Sequence, residues 1–187
     1  DVWNEPGSYG GGDYSKTELK ESVKLARVTA LLPQAFEWAR EVHPTQPLTS
    51  GVYEIDTSRD ESAVDELEKI QLRESDVITF HNYSWPESFK AEIEWLRRFH
   101  RPVICTEYMA RPRNSTFFNI MPLLKKEHVG AINWGLVSGK TNTKYAWDTP
   151  MPDGADPKPW FHDIFRPDGT PYDKKETDLI KALTGKH

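Results

Sequence analysis

Two short runs put a glutamate where a predicted strand ends: Trp3-Asn4-Glu5-Pro6 at the start of the sequence, and Thr106-Glu107-Tyr108 directly after the apolar run Pro102-Val103-Ile104-Cys105. Two carboxylates facing one bond can cleave a glycoside, one protonating the leaving oxygen while the other reaches the anomeric carbon. Singly neither is diagnostic, since Asn-Glu-Pro also makes a turn and Glu107 also reads as a surface charge after an edge strand. Other predicted strand ends carry further groups of ligand-binding type, His81 with Tyr83 after one and Trp134 after another. In a parallel α/β protein the carboxyl ends of the strands face the ligand, so such groups after four predicted strands are hard to assign to solvation alone.

The elements that must position these groups follow from hydrophobic periodicity. Leu19, Val23, Ala26 and Ala30 recur at helical spacing over 18–30, and Pro33 sits where it kinks that helix or opens a second one over 34–41. Residues 47–53 read as a short strand, and the polar stretch 54–61 leads into a helix with Ala63, Leu67 and Ile70 on one face. The pattern repeats with a strand over 76–81 and a helix opened by Pro86, with Phe89, Ile93 and Leu96 inward and Arg101-Pro102 as its stop. A strand over 103–106, a helix bearing Phe117, Met121 and Leu124, and a strand over 129–134 follow. A Pro-, Gly- and Asp-rich loop covers 138–159, and a last helix runs through Asp178 and Leu183 to a C-cap at Gly185. Short apolar strands alternating with helices predict an α/β fold with a parallel sheet and right-handed crossovers, as one domain over residues 1–187.

Composition excludes several classes of function. The chain has 187 residues, 37% hydrophobic and 28% charged, with no apolar run near the ~18 residues of a membrane span. A formal charge of −5 with scattered Lys and Arg lacks the basic stripe of a nucleic-acid binder. Seven Trp and seven Tyr suit the C–H faces of sugars, although core packing accounts for many such rings in any protein. Cys105, the single cysteine, excludes an internal disulfide and a cysteine-rich zinc site, and its place in a strand favours packing over catalysis. No charged-then-apolar leader opens the sequence.

Competing motifs fail on inspection. Ser138-Gly139-Lys140-Thr141 imitates the end of a phosphate loop, but Trp134 stands where its first glycine belongs and no helical pattern follows. Gly10-Gly11-Gly12 lacks a preceding strand with dinucleotide-type spacing and reads as a flexible loop. The six histidines show no metal-ligand spacing with an acid beside them, so neither a metal nor another cofactor is expected. Asn82-Tyr83-Ser84 and Asn114-Ser115-Thr116 match glycosylation acceptors, a pattern common by chance.

In this order, Trp3-Asn4-Glu5-Pro6, His81-Asn82-Tyr83, Thr106-Glu107-Tyr108 and Asn133-Trp134-Gly135 resemble the ends of barrel strands four, six, seven and eight in clan A glycoside hydrolases, with family five cellulase- and xylanase-like proteins the nearest in kind. The phrases Trp134-Gly135-Leu136-Val137-Ser138-Gly139-Lys140-Thr141 and Pro159-Trp160-Phe161-His162-Asp163-Ile164-Phe165 also resemble bacterial sequences of that kind. The resemblance implies a retaining hydrolase of β-linked oligosaccharides or polysaccharides, with Glu5 as general acid and then base and Glu107 as nucleophile. It further implies that Asn4 holds the sugar 2-hydroxyl, Tyr83 hydrogen-bonds Glu107, His81 lines the same wall and Trp134 forms the floor of the reactive subsite. Taken by themselves, Tyr83 and Trp134 also suit packing roles and His81 a structural one. A secreted or periplasmic setting is implied as well.

Strands one to three of such a barrel have no counterpart here, and 187 residues fall short of the ~250 of a complete (β/α)8 barrel. The sequence therefore reads as half of a TIM barrel, from the end of strand four onward. A half barrel exposes its edges, so a homodimer closing one barrel is expected. The other expectation is a scaffold without catalysis that self-associates and binds sugar weakly.

Overall fold

In the computed structural model the described residues are 1–8, 21–53, 55–147 and 155–185. Gly10-Gly11-Gly12, the start of the predicted helix at 18–20, Glu54 and the middle of the 138–159 loop lie outside them. Two compact units are formed, Asp1–His81 with Ala91–Ile104, and Asn82–Lys90 with Cys105–His187. Parallel strands alternate with helices, as predicted. None of the described helices is long and apolar enough to cross a membrane.

The first unit is built on α1 (Glu21–Glu41) packed against α2 (Glu66–Glu74). Its core is Val28, Leu32, Phe36 and Leu67, with Val2, Trp3, Leu25, Leu48 and Ile70 packed around it. The inward stripe of α1 is thus the partly buried Leu25 with the buried Val28, Leu32 and Phe36, whereas Val23, Ala26 and Ala30 of the expected series are exposed. Larger side chains remove more apolar area from water and take the inner face. Pro33 neither ends α1 nor opens another helix; it lies on the exposed side, where water can serve the carbonyl that its missing N–H leaves unpaired. Asp65 and Glu68 cap α2 reciprocally, each side chain accepting from the other's backbone N–H at 2.8 and 3.1 Å. Ala63 falls in a short 3-10 turn before that cap and is exposed, with Val64 buried in its stead.

Strand β1 (Ile78–His81) is wholly buried and meets the approach to β2 (Val103–Glu107) through Ile78 N–H to Pro102 O at 2.9 Å. The strand predicted over 47–53 reduces to one parallel bridge, Val52 to Phe80. Its backbone groups are diverted: Gln71 Nε2 donates to Gly51 O (2.8 Å), Ser50 N–H to Ser75 Oγ (3.1 Å), and Val2 N–H to Thr49 O (2.8 Å). Three strands in the order β1-β2-β3 therefore form the sheet, with segment 47–53 laid beside β1 as irregular chain. Helix α3 (Pro86–Leu96) buries Phe89, Ile93 and Leu96 as expected and passes from the second unit into the first.

In the second unit Cys105 of β2 is fully buried, and β3 (Gly130–Ala131) is extended by Ile132 N–H to Cys105 O at 2.8 Å. Helix α4 (Phe117–Lys126), capped by Thr116, buries Phe117, Ile120 and Leu124 and packs on β3 and on α5 (Lys174–Thr184). Gly185 caps α5 in the left-handed region, as predicted. Beyond β3, Val137 bridges Phe165 in parallel, and Ser138 N–H and Ile164 N–H bond Phe165 O and Leu136 O. Among the described residues β3 is an edge of the sheet, and Ile132, Trp134, Leu136 and Val137 are exposed along and after it.

Candidate functional site

Of the predicted functional residues, Asn4, Glu5 and His81 belong to the first unit and Tyr83, Glu107 and Trp134 to the second. No regular strand forms in residues 1–8, so Glu5 is held otherwise than expected. Its N–H donates to Gly51 O at 3.2 Å, its carbonyl accepts from Ser8 N–H at 2.9 Å, and its φ of 45° lies in the left-handed region that few non-glycine residues adopt. Such a backbone persists only where its surroundings impose it.

The Glu5 carboxylate meets the buried His81, Oε1 lying 2.5 Å from Nδ1. His81 is fixed from behind by its N–H to Val52 O (3.1 Å) at the end of β1. Asn4 is exposed beside Gly51, where a Cβ would stand 3.0 Å from Asn4 Oδ1 and 3.3 Å from His81 Nε2. Only glycine leaves Asn4 and His81 where they are. Asn4, Glu5 and His81 thus form one polar cluster around Gly51.

In the second unit Tyr83 Oη donates to Glu107 Oε2 at 2.7 Å, and both residues are half-buried. Asn82 N–H donates to Glu107 O at 3.0 Å, which ties the turn after β1 to the end of β2. A phenol donating to a carboxylate favours its ionised form, and an ionised carboxylate can attack carbon or accept a proton. Trp134 follows β3 with about half its surface exposed, while its neighbour Asn133 donates from Nδ2 to Gly135 O at 2.6 Å.

Two residues that motif reading did not single out complete this cluster. Trp147, about half exposed, meets the Tyr83 ring edge-on at 4.7 Å, with the Arg113 guanidinium 5.0 Å from its own ring centre. His162, fully buried, lies 5.5 Å from the Tyr83 ring and 5.3 Å from that of Trp147. Burial pushes the His162 imidazole down to about 4, so it is neutral at ordinary pH, and its Nδ1 lies 2.5 Å from Met109 O. Neighbouring Asp163 is equally buried and accepts from Thr143 Oγ1 at 2.5 Å; desolvation raises its pKa. The sequence signal was the phrase Trp160-Phe161-His162-Asp163, whose apolar lead-in predicts burial but not the partners.

No protein-family model matches the chain, and no curated protein matches it in sequence. Solved structures are similar to it, two xylanases among them. One is a GH10 xylanase from Bispora sp. MEY-1, solved with xylobiose, at a TM-score of 0.51 and 17% identity over 98% of this chain and 61% of that one. The other is an intracellular xylanase from Thermoanaerobacterium saccharolyticum JW/SL-YS485, at a TM-score of 0.48 and 16% identity over 91% of this chain and 54% of that one. The chain spans less than two thirds of the length of either. What the likeness to the Bispora enzyme establishes is the fold alone: parallel strands alternating with helices, matching part of a TIM barrel.

Proposed function

We propose that the chain is a half-barrel domain of a retaining β-glycoside hydrolase, with Glu107 as nucleophile, Glu5 as general acid and then base, and Asn4, His81, Tyr83 and Trp134 binding the sugar. The observation that carries this reading is the 2.7 Å hydrogen bond from Tyr83 Oη to Glu107 Oε2, which favours the ionised carboxylate that a nucleophile must be. Retention requires the two carboxyls to work roughly 5–5.5 Å apart. The substrate class is a β-linked polysaccharide, to which the Bispora xylanase lends support. We assign the lineage to clan A and, on the Asn4-Glu5-Pro6 and Thr106-Glu107-Tyr108 runs, to a family five type, although the neighbour that shares the fold is a GH10 enzyme.

Hydrolysis of aryl β-glycosides, abolished by Glu107→Gln, is the expected result. No turnover above that of the Glu107→Gln protein rules the reading out. The second reading is a self-associating scaffold that binds sugar weakly, favoured by the exposed Ile132, Trp134, Leu136 and Val137 along the edge that begins with β3. In both readings a homodimer closes the barrel, and light scattering behind a sizing column tests it: a mass of two chains supports the dimer and a mass of one excludes it.

A further inference from the structure

Glu107 and Met109 lie two residues apart, and each is gripped by a ring from a distant part of the second unit. Tyr83 donates to the Glu107 carboxylate at 2.7 Å, and His162 meets the Met109 carbonyl at 2.5 Å through Nδ1. The two rings are 5.5 Å apart at 53°, and Trp147 touches both, at 4.7 Å from Tyr83 and 5.3 Å from His162. The contacts close a loop: carboxylate, phenol, imidazole, carbonyl, and two residues of chain back to the carboxylate.

His162 is the fixed member of that loop. Its backbone N–H donates to Thr143 O at 3.1 Å, and a Cβ on Gly135 would stand only 2.9 Å from its own Cβ. Met109 is fully buried, and a buried carbonyl needs a donor. Because the imidazole is neutral, its one proton sits on Nδ1 to serve that carbonyl, and Nε2, a bare acceptor, has no hydrogen-bond partner among the described residues. Phenylalanine would keep the ring contact and lose the donor; asparagine, whose Nδ2 falls near the place of Nδ1, would keep the donor and lose the ring.

We infer that His162 is a positioning residue for Glu107 that acts through Tyr83, seating the phenol whose hydroxyl holds the carboxylate. Its catalytic consequence rests on the reading of Glu107 as nucleophile; the coupling itself does not.

The test is a titration of the Glu107 carboxyl by carbon-13 NMR, its resonance identified by its loss in Glu107→Gln. Tyr83→Phe removes a donor to the carboxylate and should raise its proton affinity about tenfold. His162→Asn and His162→Phe should each raise it severalfold, and neither should add to Tyr83→Phe in the double variant. Wild-type titration in both His162 variants, with the rise present in Tyr83→Phe, overturns the inference, as does full additivity. Should neither His162 variant fold, Tyr83→Phe and Glu107→Gln leave His162 intact. Its imidazole nitrogen-15 shifts at neutral pH should then move in both, and unchanged shifts in both overturn the coupling. A wild-type chain without glycosidase activity would end the proposed function and leave this titration valid. With activity present, the acidic limb of kcat/KM should move to higher pH in His162→Asn.

Discussion

Glu5 and His81 share one short contact, Oε1 to Nδ1 at 2.5 Å, although Glu5 lies in irregular chain and His81 at the end of a buried strand. Under the proposed function Glu5 is the acid–base carboxyl and His81 a sugar-binding residue, and their contact gives His81 a second part in orienting Glu5. His81→Phe should lower kcat/KM on aryl β-glycosides by ~10–100-fold, while His81→Asn, which keeps a donor near the place of Nδ1, should retain more of it. Steady-state kinetics of the two variants check this, and equal loss in both would remove the orienting role.

Gly135 is fixed by conformation and by space. Its φ is +87°, and a Cβ there would lie 2.8 Å from Asp163 Oδ1 and 2.9 Å from His162 Cβ. Gly135→Ala should cost about 2–4 kcal/mol, combining left-handed strain with overpacking. Urea denaturation measures it; a cost under ~1 kcal/mol would mean that the buried His162-Asp163 segment yields easily.

Arg111 and Glu176 form a buried two-bond ion pair, at 2.8 Å from Nε and 2.6 Å from Nη2. The same guanidinium also donates to Trp160 O and Asp163 O, which ties α5 to the segment that carries His162. Glu176→Ala leaves a buried cation and should destabilise by ~3–5 kcal/mol, whereas Arg111→Met with Glu176→Leu should recover much of that loss. Thermal and urea melts of the single and double variants decide it.

His162 also sets a pH dependence of stability. Its folded pKa is depressed to about 4, so between the ordinary value of 6.5 and 4 the unfolded chain binds a proton that the folded chain does not. Stability therefore falls as pH drops through that window, by at most ~3 kcal/mol from this group. Asp163 acts in the opposite sense: its raised pKa gives a contribution that is present below 3.8 and is lost as pH rises through the folded value. Denaturation between pH 4 and 7 should show a flatter profile in His162→Asn and a steeper acid loss in Asp163→Asn.

Elements whose signal is local were legible in the sequence. Helix α3, with Phe89, Ile93 and Leu96 at helical spacing after Pro86, and α5, ending at Gly185, came out as read. Segment 47–53 did not, because Gln71 and Ser75, distant in sequence, take backbone groups that a ladder would use. The inner face of α1 was misplaced for a similar reason: Leu25, Val28, Leu32 and Phe36 outweigh the small residues whose spacing was equally regular. Tyr83 with Glu107 was foreseen by resemblance to a family, whereas His162 and Trp147 depend on contacts across many residues of chain that no periodicity encodes.

The exposed edge that begins with β3 has a colloidal consequence. An edge strand followed by exposed Ile132, Trp134 and Leu136 is a template on which further strands can add. Concentrated solutions should turn turbid in a nucleation-dependent way while the interior stays folded. A charge at that edge, such as Ile132→Lys, should lengthen the lag and raise the concentration at which turbidity begins.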